Sequence, residues 1–108
     1  MKAKNGVELI AAERRRQVRV EGWTAGHDDE HEEGELARAA ACYAMPPATR
    51  EMAKGQYFKI RTAVWPWDQE WWKPTPNDRV RELVKAGALI AAEIDRLQRL
   101  DGKETTKP

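Results

Sequence analysis

The sequence predicts a mostly α-helical protein, a small helical domain with a long C-terminal helix, a tryptophan- and proline-rich irregular segment, and room for one short strand pair. Two observations favour this class. Apolar residues recur at three- and four-residue spacing in three parts of the 108-residue chain. Prolines and glycines separate these parts. We assign residues 1–102 to a single domain and residues 103–108 to a disordered tail.

The first predicted helix covers residues 6–21. Asn5 is positioned to cap it, and Glu8, three residues later, completes a capping-box pattern. The predicted packing face consists of Val7, Ile10, Ala11, Arg14 and Val18. Gly22 is expected to end the helix, because glycine readily adopts the left-handed conformation found after helix C-termini.

The next segment, GWTAGHDDEHEEG at residues 22–34, is acidic and bracketed by glycines. It holds His27 and His31, four residues apart among carboxylates, and on a helix such a pair is able to bind a divalent metal such as zinc. The spacing H-D-D-E-H differs from the zincin motif H-E-x-x-H. The alternative is a solvated acidic loop or helix cap, and we predict no metal and no other cofactor.

The second predicted helix, residues 35–45, is rich in alanine and ends before Pro46. Its packing side is predicted to consist of Leu36, Ala39, Ala40 and Tyr43. Small residues in this run allow another helix to approach closely. Cys42, the only cysteine, excludes an intramolecular disulfide, and we interpret it as a small core residue.

The middle of the chain contains two short elements. Residues 48–54 fit two helical turns that end at Gly55. Residues 57–64 alternate loosely between polar and apolar, which fits either a short strand or an extended arm.

The last predicted helix begins after Thr75, Pro76 and Asp78, which supply a cap, a first-turn proline and an acid near the N-terminus. One apolar stripe continues for six turns through Val80, Leu83, Val84, Gly87, Ile90, Ala91, Ile94, Leu97 and Leu100. We expect this stripe to face the core, and Gly102 to end the helix. A third hypothesis for the whole protein is a homo-oligomer in which this stripe pairs with itself.

Residues 64–77, VWPWDQEWWKPTPN, hold four tryptophans. Buried tryptophans cover about 150–250 Å² each, whereas the largest apolar patch on a monomer is about 300–600 Å². Some of the four must therefore be core. We predict that Trp67 and Trp71 are packed, while Trp65 or Trp72 lines a surface site beside Lys73. The alternative places all four indoles in the core.

Composition and motifs narrow the function classes. The net charge of +1 argues against bulk nucleic-acid binding. A basic run in the first helix nevertheless allows local phosphate contact, and it consists of Arg14, Arg15, Arg16 and Arg19. The chain has no Walker loop, dinucleotide fingerprint, nucleophile elbow or CxxC pair, so an enzyme is not supported. No apolar run is long enough for a membrane span, and we expect a cytoplasmic protein.

Two resemblances add to this interpretation. The motifs E-R-R-R-Q, G-W-T, H-D-D-E-H, W-P-W, W-W-K-P and L-V-K-A-G-A-L-I-A-A-E-I resemble a group of small bacteriophage and prophage proteins. That resemblance implies a phage accessory protein in a bacterial host and implies no particular activity. The stretch Gly22-Trp23-Thr24, with Gly26 and Asp28-Asp29, also resembles the turn of the RyR module of ryanodine receptors, although the H-P-x-L-V-P segment is missing. The module implies a nucleotide-derived ligand.

These observations favour a non-enzymatic, phage-encoded counter-defence protein that binds a nucleotide-derived host signal. Tryptophan would stack on the base, Arg79 and Lys73 would contact phosphate, and Asp28 or Asp29 would accept from ribose hydroxyls. The predicted ligand-binding residues are Trp23, Thr24, His27, Asp28, Asp29, Trp65, Trp72, Lys73 and Arg79. The alternative is a protein–protein inhibitor or adaptor of a host defence factor, similar in action to an anti-CRISPR protein, with the tryptophans as its interface.

Overall fold

The computed structural model describes residues 3–52 and 64–105, and in these ranges the chain is mostly helical and contains no strand. The elements in order are α1 (Gly6–Arg19), α2 (Ala25–Asp29), α3 (Glu35–Ala44), α4 (Pro47–Met52), a 3₁₀ turn (Gln69–Trp71) and α5 (Arg79–Thr105). The predicted fold class and the long C-terminal helix are confirmed. Apart from Val64, the predicted strand or arm at residues 57–64 lies outside the described residues.

Helix α1 begins as predicted and ends two residues earlier than predicted. The Asn5 side chain accepts from the Glu8 amide, and the Glu8 carboxylate accepts from the Asn5 amide, both at 2.9 Å. After the helix, Gly22 has a φ of 75°, and the following amide of Trp23 donates to the Gln17 carbonyl at 2.9 Å. Gly22 therefore turns the chain away from the helix axis as expected.

The predicted packing face of α1 is correct in Ile10, which contacts Gly87 of the last helix, and wrong in Val7, Ala11 and Val18. Val7 is 78% exposed and Val18 is also exposed, whereas Glu13 and Gln17 are buried. A carboxylate is tolerated there because Arg16 and Arg81 both donate to it, at 2.9 and 2.6 Å. These arginines also set its pKa: burial tends to raise the pKa of Glu13, but the two hydrogen bonds outweigh burial and lower it overall.

Helices α3 and α5 form the core. The predicted inner side of α3 is confirmed, and Cys42 is buried with it. The core cluster consists of Leu36, Ala39, Ala40, Cys42, Tyr43, Trp65, Ala86, Leu89 and Ala92. Small residues on both helices leave little side-chain bulk between the backbones, which favours close packing.

The prediction that the apolar stripe of α5 faces the core is correct for Val84 and wrong for most of the other residues in the stripe. The buried side of this helix includes Ala86, Ala88, Leu89 and Ala92, while Val80, Leu83, Ile90, Ile94, Leu97 and Leu100 are 44–62% exposed. Gly87 lies against Ile10 of α1. The helix also extends to Thr105, three residues beyond the predicted end at Gly102, so the proposed tail begins within α5. Among the described helices, none combines the length and hydrophobicity that crossing a bilayer requires.

Ion pairs connect helices that are distant in sequence. Arg81 of α5 binds Glu13 of α1 at 2.6 Å, and Arg99 of α5 binds Asp29 of α2 at 2.8 Å. Arg14 of α1 binds Asp28 of α2 at 2.5 Å. Every buried side-chain nitrogen and oxygen in the described ranges has a hydrogen-bond partner. The polar contacts therefore fix how α1 and α2 sit on α5.

Candidate anion-binding site

An open cleft of about 420 Å³ lies where α1, α2 and α5 meet. Its lining consists of Arg14, Arg15, Val18, Arg19, Ala25, Asp95 and Arg99. The lining thus contains four arginines and one carboxylate, Asp95. Arginine presents a planar fork of donors that fits phosphate and carboxylate groups.

Two of the four arginines are held in place by buried or half-buried acids. Arg14 donates to Asp28 Oδ2 at 2.5 Å, and Asp28 is fully buried. Arg99 donates to Asp29 Oδ1 at 2.8 Å and to the Ala25 carbonyl at 3.3 Å. These two side chains therefore form a fixed wall of the cleft.

The other two arginines, Arg15 and Arg19, are exposed. They lie one turn apart on the same side of α1. Within residues 3–52 and 64–105, neither side chain forms a hydrogen bond or an ion pair. Asp95 is the one carboxylate among the lining residues and is bonded to neither of them, so an anion in the cleft would gain two charge-assisted contacts.

A second cleft, of about 320 Å³, lies between α1 and the start of α5. It also contains two arginines, Arg16 and Arg81. Both of them bind the Glu13 carboxylate. Their charge is already compensated, so the first cleft is the stronger anion site of the two.

Five of the sequence-predicted ligand residues lie together at α2, beside the first cleft. Thr24 caps the helix by accepting from the His27 amide at 3.3 Å, and the rings of Trp23 and His27 stack with an interplanar angle of 2°. His27 Nδ1 lies 3.0 Å from Asp28 Oδ1. The interpretation of this segment as a solvated loop is wrong for Asp28, because Arg14 and His27 satisfy its buried carboxylate.

Seven rings extend from α2 into the tryptophan segment, and we name them the aromatic row: Trp23, His27, His31, Trp67, Trp65, Trp72 and Tyr43. Within it, His27 and His31 have ring centroids 4.9 Å apart, and His31 and Trp67 have centroids 5.4 Å apart. Trp65 then contacts Trp67, Trp72 and Tyr43 at 5.4, 5.0 and 5.7 Å. Edge-to-face pairs at such distances are favourable beyond the area they bury.

The predicted division of the tryptophans is correct for Trp67, which packs against the core cluster, and wrong for Trp65 and Trp71. Trp65 is buried, with its Nε1 donating to the Asp68 carbonyl at 3.1 Å, while Trp71 is 57% exposed. The 3₁₀ turn at Gln69–Trp71 is the reason, because it directs Trp71 outward and the next residue, Trp72, onto Tyr43 with centroids 4.8 Å apart. The expectation that only part of the cluster faces outward is correct.

The remaining predicted residues lie away from the cleft. Lys73 is exposed, with its ammonium 5.8 Å from the Trp71 ring centroid. Arg79 donates to the carbonyls of Tyr43 and Ala44 and to Glu82. Those carbonyls belong to the last turn of α3, so Arg79 caps that helix.

Sequence reasoning omitted Arg14, Arg15, Arg19 and Arg99 from the site residues. The basic run in α1 was a visible signal for the first three. No pattern in the sequence pointed to Arg99, because its place beside α1 depends on the tertiary packing of α5. In the described residues, no group of three or more His, Cys, Asp or Glu side chains is arranged to hold a metal ion.

Comparison of the chain with protein-family models, with curated proteins and with solved structures returns no match. Functional inference therefore depends on the cleft, the exposed tryptophan and the surface of α5.

Proposed function

We propose that the protein binds a phosphate-bearing, nucleotide-derived small molecule in the cleft between α1, α2 and α5, without catalysing a reaction on it. The observation that carries this proposal is the pair of uncompensated guanidiniums, Arg15 and Arg19, beside the fixed Arg14 and Arg99. The volume of about 420 Å³ falls within the usual range of small-molecule sites, about 300–1,000 Å³.

The ligand's phosphate would bind Arg15 and Arg19, since both can rotate toward it without losing an existing partner. Arg14 and Arg99 would contribute positive potential while keeping their bonds to Asp28 and Asp29. A base would stack on the guanidinium planes of the cleft. Asp28 and Asp29 thus support the arginines in this arrangement and do not bind ribose.

The biological role we propose is counter-defence, in which a phage protein removes a nucleotide-derived signal of its bacterial host. The resemblance to small phage proteins motivates this role. A protein that sequesters a signal needs affinity and no turnover, which suits a cleft lined chiefly by arginines.

Calorimetric titration with cyclic oligonucleotides and ADP-ribose-type nucleotides tests the proposal. A hydrogen bond to a charged group contributes about 1.5–3 kcal/mol, so Arg15→Ala and Arg19→Ala should each weaken binding by about 10- to 100-fold. Lys4→Ala is the control, since it removes one exposed charge near the start of α1 without touching the cleft. Binding weaker than millimolar for every nucleotide, or equal losses in the control, would overturn the proposal.

A second candidate is an adaptor that binds a host protein through Trp71. Its indole is 57% exposed beside Lys73, which fits an aromatic hot spot with a charged neighbour. This candidate predicts that a host protein co-purifies with the chain and is lost on Trp71→Ala. Trp72→Ala is the less suitable test, because Trp72 packs on Tyr43 inside the fold.

A further inference from the structure

Asp95 brings an acceptor without a partner into the cleft between α1, α2 and α5. It lies on α5 one helical turn before Arg99, at a spacing where an acid and an arginine can pair. Arg99 instead donates to Asp29 Oδ1 at 2.8 Å and to the Ala25 carbonyl at 3.3 Å. Within residues 3–52 and 64–105, the Asp95 side chain has no hydrogen bond and no ion pair. Its two oxygens are therefore available to accept from a molecule in the cleft.

The two long helices that line the cleft offer opposite chemistry. On α1, Arg15 and Arg19 offer donors and positive charge. On α5, the Asp95 carboxylate offers only acceptors, and the neighbouring Arg99 is engaged with Asp29. A ligand that satisfies both helices must carry an anion for α1 and hydrogen-bond donors for α5. An inorganic anion such as pyrophosphate supplies the first without the second, and Asp95 would repel it.

The acids of α2 cannot take the place of Asp95 as acceptors for the ligand. Asp28 is fully buried and bound to Arg14, and Asp29 is bound to Arg99. Asp95 is exposed, so a ligand reaches it without breaking a bond that holds α1, α2 and α5 together. The contact with ribose that the sequence suggested for α2 is therefore better supplied by α5.

We propose that Asp95 accepts from both hydroxyls of a ribose, so that the cleft selects an anion that carries a free vicinal diol. A diol offers two O–H donors, which match the two oxygens of one carboxylate. This selects ADP-ribose-type nucleotides over cyclic oligonucleotides, because in the latter one of the two hydroxyls of each ribose is esterified. The assignment rests on the proposed function, since it concerns the same ligand in the same cleft.

Calorimetric titration of the full chain with ADP, dideoxy-ADP and pyrophosphate tests the assignment. Dideoxy-ADP lacks both ribose hydroxyls. The parent protein should bind ADP at least about 10-fold more tightly than dideoxy-ADP, because hydrogen bonds to a charged group are strong. Asp95→Ala should bind the two nucleotides within about 2-fold of each other, since the acceptor for the diol is gone. Pyrophosphate should bind Asp95→Ala more tightly than the parent, because a repulsive charge is removed.

Two further variants separate the contact with ribose from the contact with phosphate. Arg15→Ala should weaken all three probes by a similar factor, because all three carry phosphate. Glu70→Ala is the matched control, since it removes one exposed carboxylate from the 3₁₀ turn, outside the cleft. It should leave the relative affinities of the three probes as they are in the parent.

Each contrary outcome identifies what has failed. Discrimination between ADP and dideoxy-ADP that is absent from the parent, or that survives in Asp95→Ala, would overturn the role of Asp95 and leave the proposed function in place. Inosine diphosphate keeps the diol and lacks the adenine amino group, so weak binding of it that no longer depends on Asp95 would overturn the assignment to ribose. If neither ADP nor pyrophosphate binds more tightly than millimolar, the proposed function fails and the role of Asp95 fails with it.

Discussion

Gly87→Ala offers a quantitative test of how α1 packs on α5. Alanine is favoured over glycine inside a helix by about 1 kcal/mol. A Cβ at this position would lie 2.5 Å from Ile10 Cδ1 and 2.8 Å from Ile10 Cγ1. Cγ1 is attached to a β-branched carbon with restricted rotation, so relief requires α1 to shift, and overpacking of this kind costs about 1–3 kcal/mol.

We therefore expect Gly87→Ala to lower the free energy of unfolding by about 1 kcal/mol in urea denaturation at fixed protein concentration. In an Ile10→Ala background the clash is absent, and the same substitution should stabilise by about 1 kcal/mol. Gly102→Ala is the matched control, because no atom lies within 4 Å of a Cβ built there. If Gly87→Ala stabilises the parent protein as Gly102→Ala does, the proposed contact with Ile10 is wrong.

Three further predictions concern buried polar and aromatic groups. Asp28→Asn should destabilise by about 3 kcal/mol in urea unfolding, because the Arg14 guanidinium, 16% exposed, loses its buried anion; an unchanged midpoint would contradict the role of this pair. The pKa of Glu13 is lowered from 4.5, so its stabilisation is complete above pH 4.5 and is lost as the pH falls through the lowered pKa. As the pH falls, the parent protein should accordingly lose stability more steeply than the Glu13→Gln variant. Parallel curves of stability against pH would contradict the proposed role of the Glu13 carboxylate. Trp65→Ala should lower the free energy of unfolding by about 3–5 kcal/mol. Trp71→Ala should change it by no more than about 0.5 kcal/mol, and thermal unfolding measures both. Equal losses would show that the two indoles do not differ in burial.

The element boundaries were largely predictable because their determinants are local. Asn5 and Glu8 form a capping box within one turn, and Pro46 ends α3 through its own backbone geometry. The end of α5 was not predictable in this way. Gly102 permits a helix end without requiring one, and the helix continues to Thr105.

The orientation of α5 was not predictable from its apolar periodicity. Large residues such as Leu83, Ile90 and Leu97 dominate the pattern, but the closest packing with the alanine-rich α3 is achieved by Ala86, Leu89 and Ala92. A periodic pattern shows that a helix has an apolar side and does not identify its partner. The small residues of α3 were the available signal that the matching side of α5 is also small.

The candidate site was predictable only in part. One residue of the segment from Trp23 to Asp29, Ala25, does line the cleft, and the arginine run in α1 supplies most of its charge. Asp28 binding Arg14 and Asp29 binding Arg99 depend on contacts across 14 and 70 residues, which no local pattern encodes. Charged residues that suggest ligand contacts in a sequence thus serve here as connections between helices.

The aromatic row gives the protein two separate optical reporters. Trp65, Trp67 and Trp72 lie within 5.0–5.4 Å of a neighbouring indole, so their electronic transitions couple and should give a strong near-ultraviolet circular dichroism signal. Trp23 is separated from these three by two imidazoles and stacks on His27 of α2. A rearrangement of α2 would thus change the emission of Trp23, while the coupled indoles would report on unfolding, and both events can be followed without attaching a dye.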